Sequence, residues 1–121
     1  MKKFQVVGIG NAMVDVLSHA EDSFLAAQGI GKGIMQLIDM DRAVALYDRI
    51  GPAKEISGGS AANTIAGIAA LGGRTAYVGK VKDDQLGRIF AHDLRAQGAV
   101  YETSFAPRDS VQETGRCIVI V

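Results

Sequence analysis

The sequence predicts an α/β fold in which a parallel sheet is joined by helical crossovers. Segments of helical periodicity alternate with short apolar runs, the order expected of strand-crossover-strand units. Several of those runs, such as Val6-Val7-Gly8-Ile9 and Cys117-Ile118-Val119-Ile120-Val121, are continuously apolar, as strands buried on both faces are. A glycine pair, Gly58-Gly59, opens the clearest helix, and a second pair, Gly72-Gly73, ends it.

In chain order, Phe4 to Ile9 is expected as a buried strand. Its Gly8-x-Gly10 does not extend to a dinucleotide fingerprint, because Met13 stands where the third glycine belongs. Asn11 and Asp15 then fall beyond the strand's carboxyl end, where open α/β sheets bind ligands. One is a donor and acceptor, the other an acceptor of several hydrogen bonds, a pair suited to a polyhydroxylated ligand. A capping asparagine and a solvated aspartate would give the same pattern. Asp22 to Gln28 is expected as a short helix stopped by Gly29, Ile34 to Ile38 as a strand, and Asp39 to Ile50 as an amphipathic helix capped by Asp39 or Asp41.

The stretch Ile56-Ser57-Gly58-Gly59-Ser60-Ala61-Ala62-Asn63 is the centre of the chain. Glycines at a helix entrance let a ligand approach the backbone, and the first-turn N–H groups face it. At 100° per residue Ser60, Asn63, Thr64 and Gly67 share a narrow arc, opposite a wider one of Ala61, Ala62, Ile65, Ala66, Ile68 and Ala69. The polar arc is open to a ligand. An Ala-rich core helix with a serine cap shows the same spacing.

Arg74 to Gly79 follows as a strand. Lys80 to Asp84 is expected as a solvated loop ending in a cap for a helix carrying Leu86, Ile89, Phe90 and Leu94, which Gly98 stops. Val100 to Phe105 and Gly115 to Val121 are two more expected strands. Ile34–Ile38 and Val100–Phe105 fit a parallel sheet less well than the others and are candidates for a small separate β layer.

The 121 residues suit one domain or a piece of one. A net charge of zero argues against a nucleic-acid binder, and the absence of tryptophan removes the best stacking surface for single strands. The single Cys117 excludes an internal disulfide and fits a reducing compartment. Lys2-Lys3 precede an apolar run too short for a secretion signal, and no run reaches the ~20 residues of a membrane helix. The expected location is cytoplasmic, with no membrane partner. A sequence that stops on its most apolar strand reads as a fragment of a larger sheet.

Ser57-Gly58-Gly59-Ser60-Ala61-Ala62-Asn63, with Ala69-Ala70-Leu71-Gly72-Gly73-Arg74-Thr75-Ala76-Tyr77-Val78-Gly79 and Lys80-Val81-Lys82-Asp83-Asp84-Gln85-Leu86-Gly87 after it, resembles the first signature of the ribokinase-like (PfkB) carbohydrate kinases. Gly8 to Asp15 resembles their first strand and substrate loop, and Thr114-Gly115-Arg116-Cys117 a strand start of the adenosine-kinase branch. The resemblance implies a Rossmann-like parallel sheet with helices on both faces plus a small β-sheet lid. Residues 1–121 would be the N-terminal, substrate-side portion, with lid segments near 12–38 and 99–115.

The resemblance further implies transfer of the ATP γ-phosphate, with Mg2+, to a hydroxymethyl group of a nucleoside or sugar. Asn11, Asp15 and Asn63 would bind hydroxyls, and Gly58, Gly59 and Ser60 would line the sugar. Gln36 and Ile38 would be lid contacts, and a homodimer would form through the lid. The family's Gly-Ala-Gly-Asp motif, which carries the catalytic aspartate, is absent, so no catalytic residue and no metal ligand is assigned in these residues. Three readings stand at this level: an adenosine-type kinase, a ribose or fructose kinase, and a non-catalytic sugar or nucleoside binding module.

Overall fold

The structure, a computed structural model, describes residues 2–121. The elements are β1 (Val6–Ile9), β2 (Met13–Ser18), α1 (Asp22–Ala27), α2 (Met40–Arg49), β3 (Ala53–Gly58), α3 (Ser60–Ala70), β4 (Thr75–Val78), α4 (Gln85–Ala96), β5 (Val100–Tyr101) and β6 (Gly115–Ile120). They form two three-stranded sheets. The first has the order β1-β4-β5 and is parallel throughout, with α4 as the crossover from β4 to β5. The second has the order β3-β2-β6, antiparallel between β2 and β3 and parallel between β2 and β6. The expected α/β fold with a parallel sheet is therefore present.

The core lies beneath α3 and α4. Leu86, Phe90 and Leu94 are buried on α4 as the sequence spacing predicts, joined by Ala91, while Ile89 is half-buried. Phe90 meets Tyr101 edge-on at 5.3 Å and Tyr77 at 5.9 Å between ring centroids. Fully burying each such ring or aliphatic chain contributes about 1.5–3 kcal/mol. The Tyr101 hydroxyl donates to the Gly79 carbonyl at 2.6 Å, and burial pushes its pKa up to about 12.

Five expectations are corrected. Ile34–Ile38 forms no strand. It is an exposed loop between α1 and α2, with Leu37 91% accessible, because no neighbouring strand offers its backbone a ladder. Of Val100–Phe105 only Val100–Tyr101 is strand, and it pairs with β4 in the first sheet rather than in a separate layer. The chain then leaves the sheet, since Thr103 accepts from the Gly79 N–H, Ser104 accepts from Lys80, and Ala106 bridges to Lys82. Phe4–Ile9 is not a buried strand. Among the described residues β1 pairs with β4 alone, and Val7 and Ile9 are 53% and 78% accessible.

Asp15 does not lie beyond a strand end. It sits inside β2, a strand absent from the predicted order, as is β3. Finally, Lys80–Asp84 is not a solvated loop. Val81 and Lys82 are buried, Lys82 pairs with Glu113 at 2.9 Å, and Asp84 is bound to Thr114.

The β6 run is also less enclosed than its composition predicts. It is half-buried and pairs with β2 alone among the described residues, with α2 packed against it.

Candidate functional site

Two turns meet at the start of α3. One is Gly10-Asn11-Ala12, which carries the chain from β1 into β2. The other is Gly58-Gly59, which carries it from β3 into α3. Met13 is in register with Gly58, so the turns are held side by side by the β2–β3 ladder. Gly59 adopts φ +96°, a region open to glycine at little cost, and a Cβ there would stand 2.7 Å from the Asn11 carbonyl oxygen. Gly10 packs as closely on α3, where a Cβ would fall 2.8 Å from that of Ala61.

The helix begins without a side-chain cap. Its first backbone bond runs from the Asn63 N–H to the Gly59 carbonyl at 2.8 Å, so the N–H groups of Ser60, Ala61 and Ala62 precede the ladder. The serine-cap alternative is thus not realised. Ser60, Asn63, Thr64 and Gly67 are exposed on one side while Ala62, Ile65 and Ala66 are buried on the other, as the helical wheel predicts.

Asp15 reaches this place from β2. A Cβ on Gly58 would lie 2.5–2.6 Å from its carboxylate carbon and oxygens, so the aspartate occupies the space that the missing side chain leaves. Burial alone shifts its pKa, and the shift is upward. Cys117, its register partner on β6, is also raised, by burial first and by the Asp15 charge second. Asn11 is exposed at the β1–β2 turn.

The structure therefore brings together Asn11, Asp15, Gly58, Gly59, Ser60 and Asn63. Gln36 and Ile38 lie elsewhere, in the α1–α2 loop, where the Gln36 side chain accepts from the Gly31 N–H at 2.7 Å. Tyr77 was legible only as a strand residue. Its hydroxyl is buried and unpartnered among the described residues, beside Gly10 and Gly79. A cleft of about 540 Å³ opens apart from these turns, between Lys80, Lys82 and Val111–Thr114, and its two lysines are already engaged by Ser104 and Glu113.

Glycine turns, a helix N-terminus, an aspartate and two amides thus meet at one sheet junction. Residues 30–121 match the pfkB family of carbohydrate kinases. The chain belongs to that family. An adenosine kinase structure from Sinorhizobium meliloti is 54% identical over 99% of this chain and 36% of its own, with a TM-score of 0.83. A probable sugar kinase from Rhizobium etli CFN 42 is 51% identical over 100% of this chain and 36% of its own, also at 0.83. A fructokinase of Klebsiella pneumoniae is 36% identical over 61% of this chain and 24% of its own length. The chain spans between 12% and 34% of the length of its curated relatives. No helix of the described residues is long and apolar enough to cross a membrane.

Proposed function

We propose that the protein carrying this chain transfers the γ-phosphoryl group of ATP to a hydroxymethyl group, with adenosine as the first-choice acceptor. The observation that carries the reading is the convergence of Asp15, Asn11 and Asn63 on the Gly58-Gly59 turn. Asp15 and Asn11 bind ring hydroxyls, Asn63 another, and the bare glycine backbone with Ser60 lines the sugar. Asp15 is half-buried beside this turn, where a hydrogen bond to an ionised group is worth about 1.5–3 kcal/mol.

The sheet β3-β2-β6 is the lid, excluding water so that the phosphoryl group reaches the substrate. Gln36 and Ile38, on the adjoining loop, contact the base or the apolar side of the sugar. A homodimer forms through the lid sheet.

Family membership implies ATP, with Mg2+. Among the described residues no group of three or more His, Cys, Asp or Glu side chains is placed to hold a metal. Neither ATP nor Mg2+ is assigned to residues of this chain, and no step is derived through them. The contribution of these residues is positioning, on which phosphoryl transfer largely depends.

A sugar such as fructose is the second reading, supported by the identity to a fructokinase and to a sugar kinase. The deciding experiment supplies the full-length protein that carries this chain with ATP, Mg2+ and either adenosine or fructose, and follows ADP release and the phosphorylated product. Formation of AMP from adenosine supports the first reading and fructose phosphate the second. Binding of either ligand with no ADP formed would replace both with a binding module.

A further inference from the structure

Besides the packing of Val14 and Val16 in the core, two side-chain ties join the sheet β3-β2-β6 to one helix, α4. At the first, the Ser57 N–H donates to Asp93 Oδ2 at 2.7 Å, one residue before the Gly58-Gly59 turn. Gln97 braces the contact, its Nε2 donating to Asp93 Oδ2 at 3.0 Å and to Ser57 Oγ at 3.1 Å. At the second, Asp84 takes both the N–H and the hydroxyl of Thr114, at 3.1 and 2.6 Å, one residue before β6 begins. The Thr114 oxygen also accepts the Lys82 N–H at 3.0 Å, so the hydroxyl both donates and accepts.

Asp84 is the N-cap of α4, accepting from the Gly87 N–H at 2.7 Å, and Asp93 lies in its last turns. The same helix buries Phe90 and Leu94 in the core. Gly87 seats the capped end, since a Cβ there would fall 1.9 Å from the Lys82 carbonyl oxygen. A helix fixed in the core thus presents one carboxylate to the end of β3 and another to the start of β6.

We propose that Asp84 and Asp93 are the positioning residues of the lid. α4 is the bar to which the two outer strands of the sheet are tied at one end, level with Met13, and the pair sets how the lid stands over the glycine turn. This rests on the reading of β3-β2-β6 as a lid. Asp93 acts on the substrate only through Ser57 and the adjacent Gly58, so it is distinct from the ligand-contacting set.

The test is hydrogen exchange on Asp93→Ala and Asp93→Asn. Loss of a charge-assisted bond should raise exchange over Ala53–Gly58 by roughly tenfold or more while the first-sheet strand Thr75–Val78 keeps its rate. Asparagine retains an acceptor oxygen and should restore most of the protection. Unchanged exchange at Ala53–Gly58 in the alanine variant overturns the proposal, and so does an equal rise at Thr75–Val78, which would mark general destabilisation. Neither readout depends on activity. A failure of the kinase reading would leave the exchange pattern intact, and a failure here would leave phosphoryl transfer standing.

Discussion

The carboxylate of Asp15 fills the space that a side chain on Gly58 would need, with 2.5 Å between that Cβ position and Oδ1. The aspartate and the glycine are one structural unit across the β2–β3 ladder. Gly58→Ala should therefore displace Asp15, and should weaken ligand binding by roughly the tenfold or more that loss of one charged partner brings. In the double variant with Asp15→Ala the alanine at position 58 should add almost nothing. A coupling of about 0.5–3 kcal/mol is expected from a double-mutant cycle read by calorimetry; additive effects would show that the two do not interact.

Gly59→Val tests the turn itself. A ligand-clearance role alone predicts lost binding with the fold intact. The backbone geometry predicts more, because φ is +96° and the Asn11 carbonyl stands in the way. Strain of this kind costs on the order of 1–3 kcal/mol. Thermal unfolding of the variant should show a clear drop in Tm, and an unchanged Tm would mean that the turn relaxes freely.

Asp84 gives a pH signature. Burial alone would raise its pKa, but the bonds from the Thr114 hydroxyl, the Gly87 N–H and the Thr114 N–H outweigh burial, and its net pKa is lowered from 3.8. A carboxyl depressed on folding stabilises above its unfolded pKa, and the contribution is lost as pH falls through the folded one. Wild type should exceed Asp84→Ala in stability by roughly 1.5–3 kcal/mol near neutrality, the range for hydrogen bonds to a charged group. The gap should narrow below pH 3.8. Denaturant melts across that range would show a constant gap if the carboxylate charge plays no part.

Much of the frame was legible in the residues. The α3 wheel, the Asp39 and Asp84 caps and the Gly29 and Gly98 stops act where local chemistry places them. The grouping at the Gly58-Gly59 turn was legible too, because its glycines and amides are close in sequence to the turns they form. β2 and β3 were not. β2 carries a period of two, with Val14, Val16 and Ser18 buried, but its short start after Gly10-Asn11 reads equally as a loop. β3 reads Ala-Lys-Glu-Ile, a polar edge strand made stable by in-register pairing with a segment distant in sequence, Ser18 opposite Ala53 and Met13 opposite Gly58. Conversely Ile34–Ile38 has the composition of a strand and no partner. The ties from Asp84 to Thr114 and from Asp93 to Ser57 span 30 and 36 residues, and no local pattern announces them.

The most direct measurement is calorimetric titration of the protein with adenosine and with fructose, repeated for Asp15→Ala and Asn63→Ala. A site of hydroxyl-binding groups at the Gly58-Gly59 turn predicts saturable binding of at least one of the two ligands. It also predicts that Asp15→Ala weakens binding by roughly tenfold to more than a hundredfold, the equivalent of one charge-assisted hydrogen bond. Asn63→Ala should weaken it less. Wild-type affinity in the Asp15→Ala protein, with its fold intact by thermal melting, would contradict the assignment.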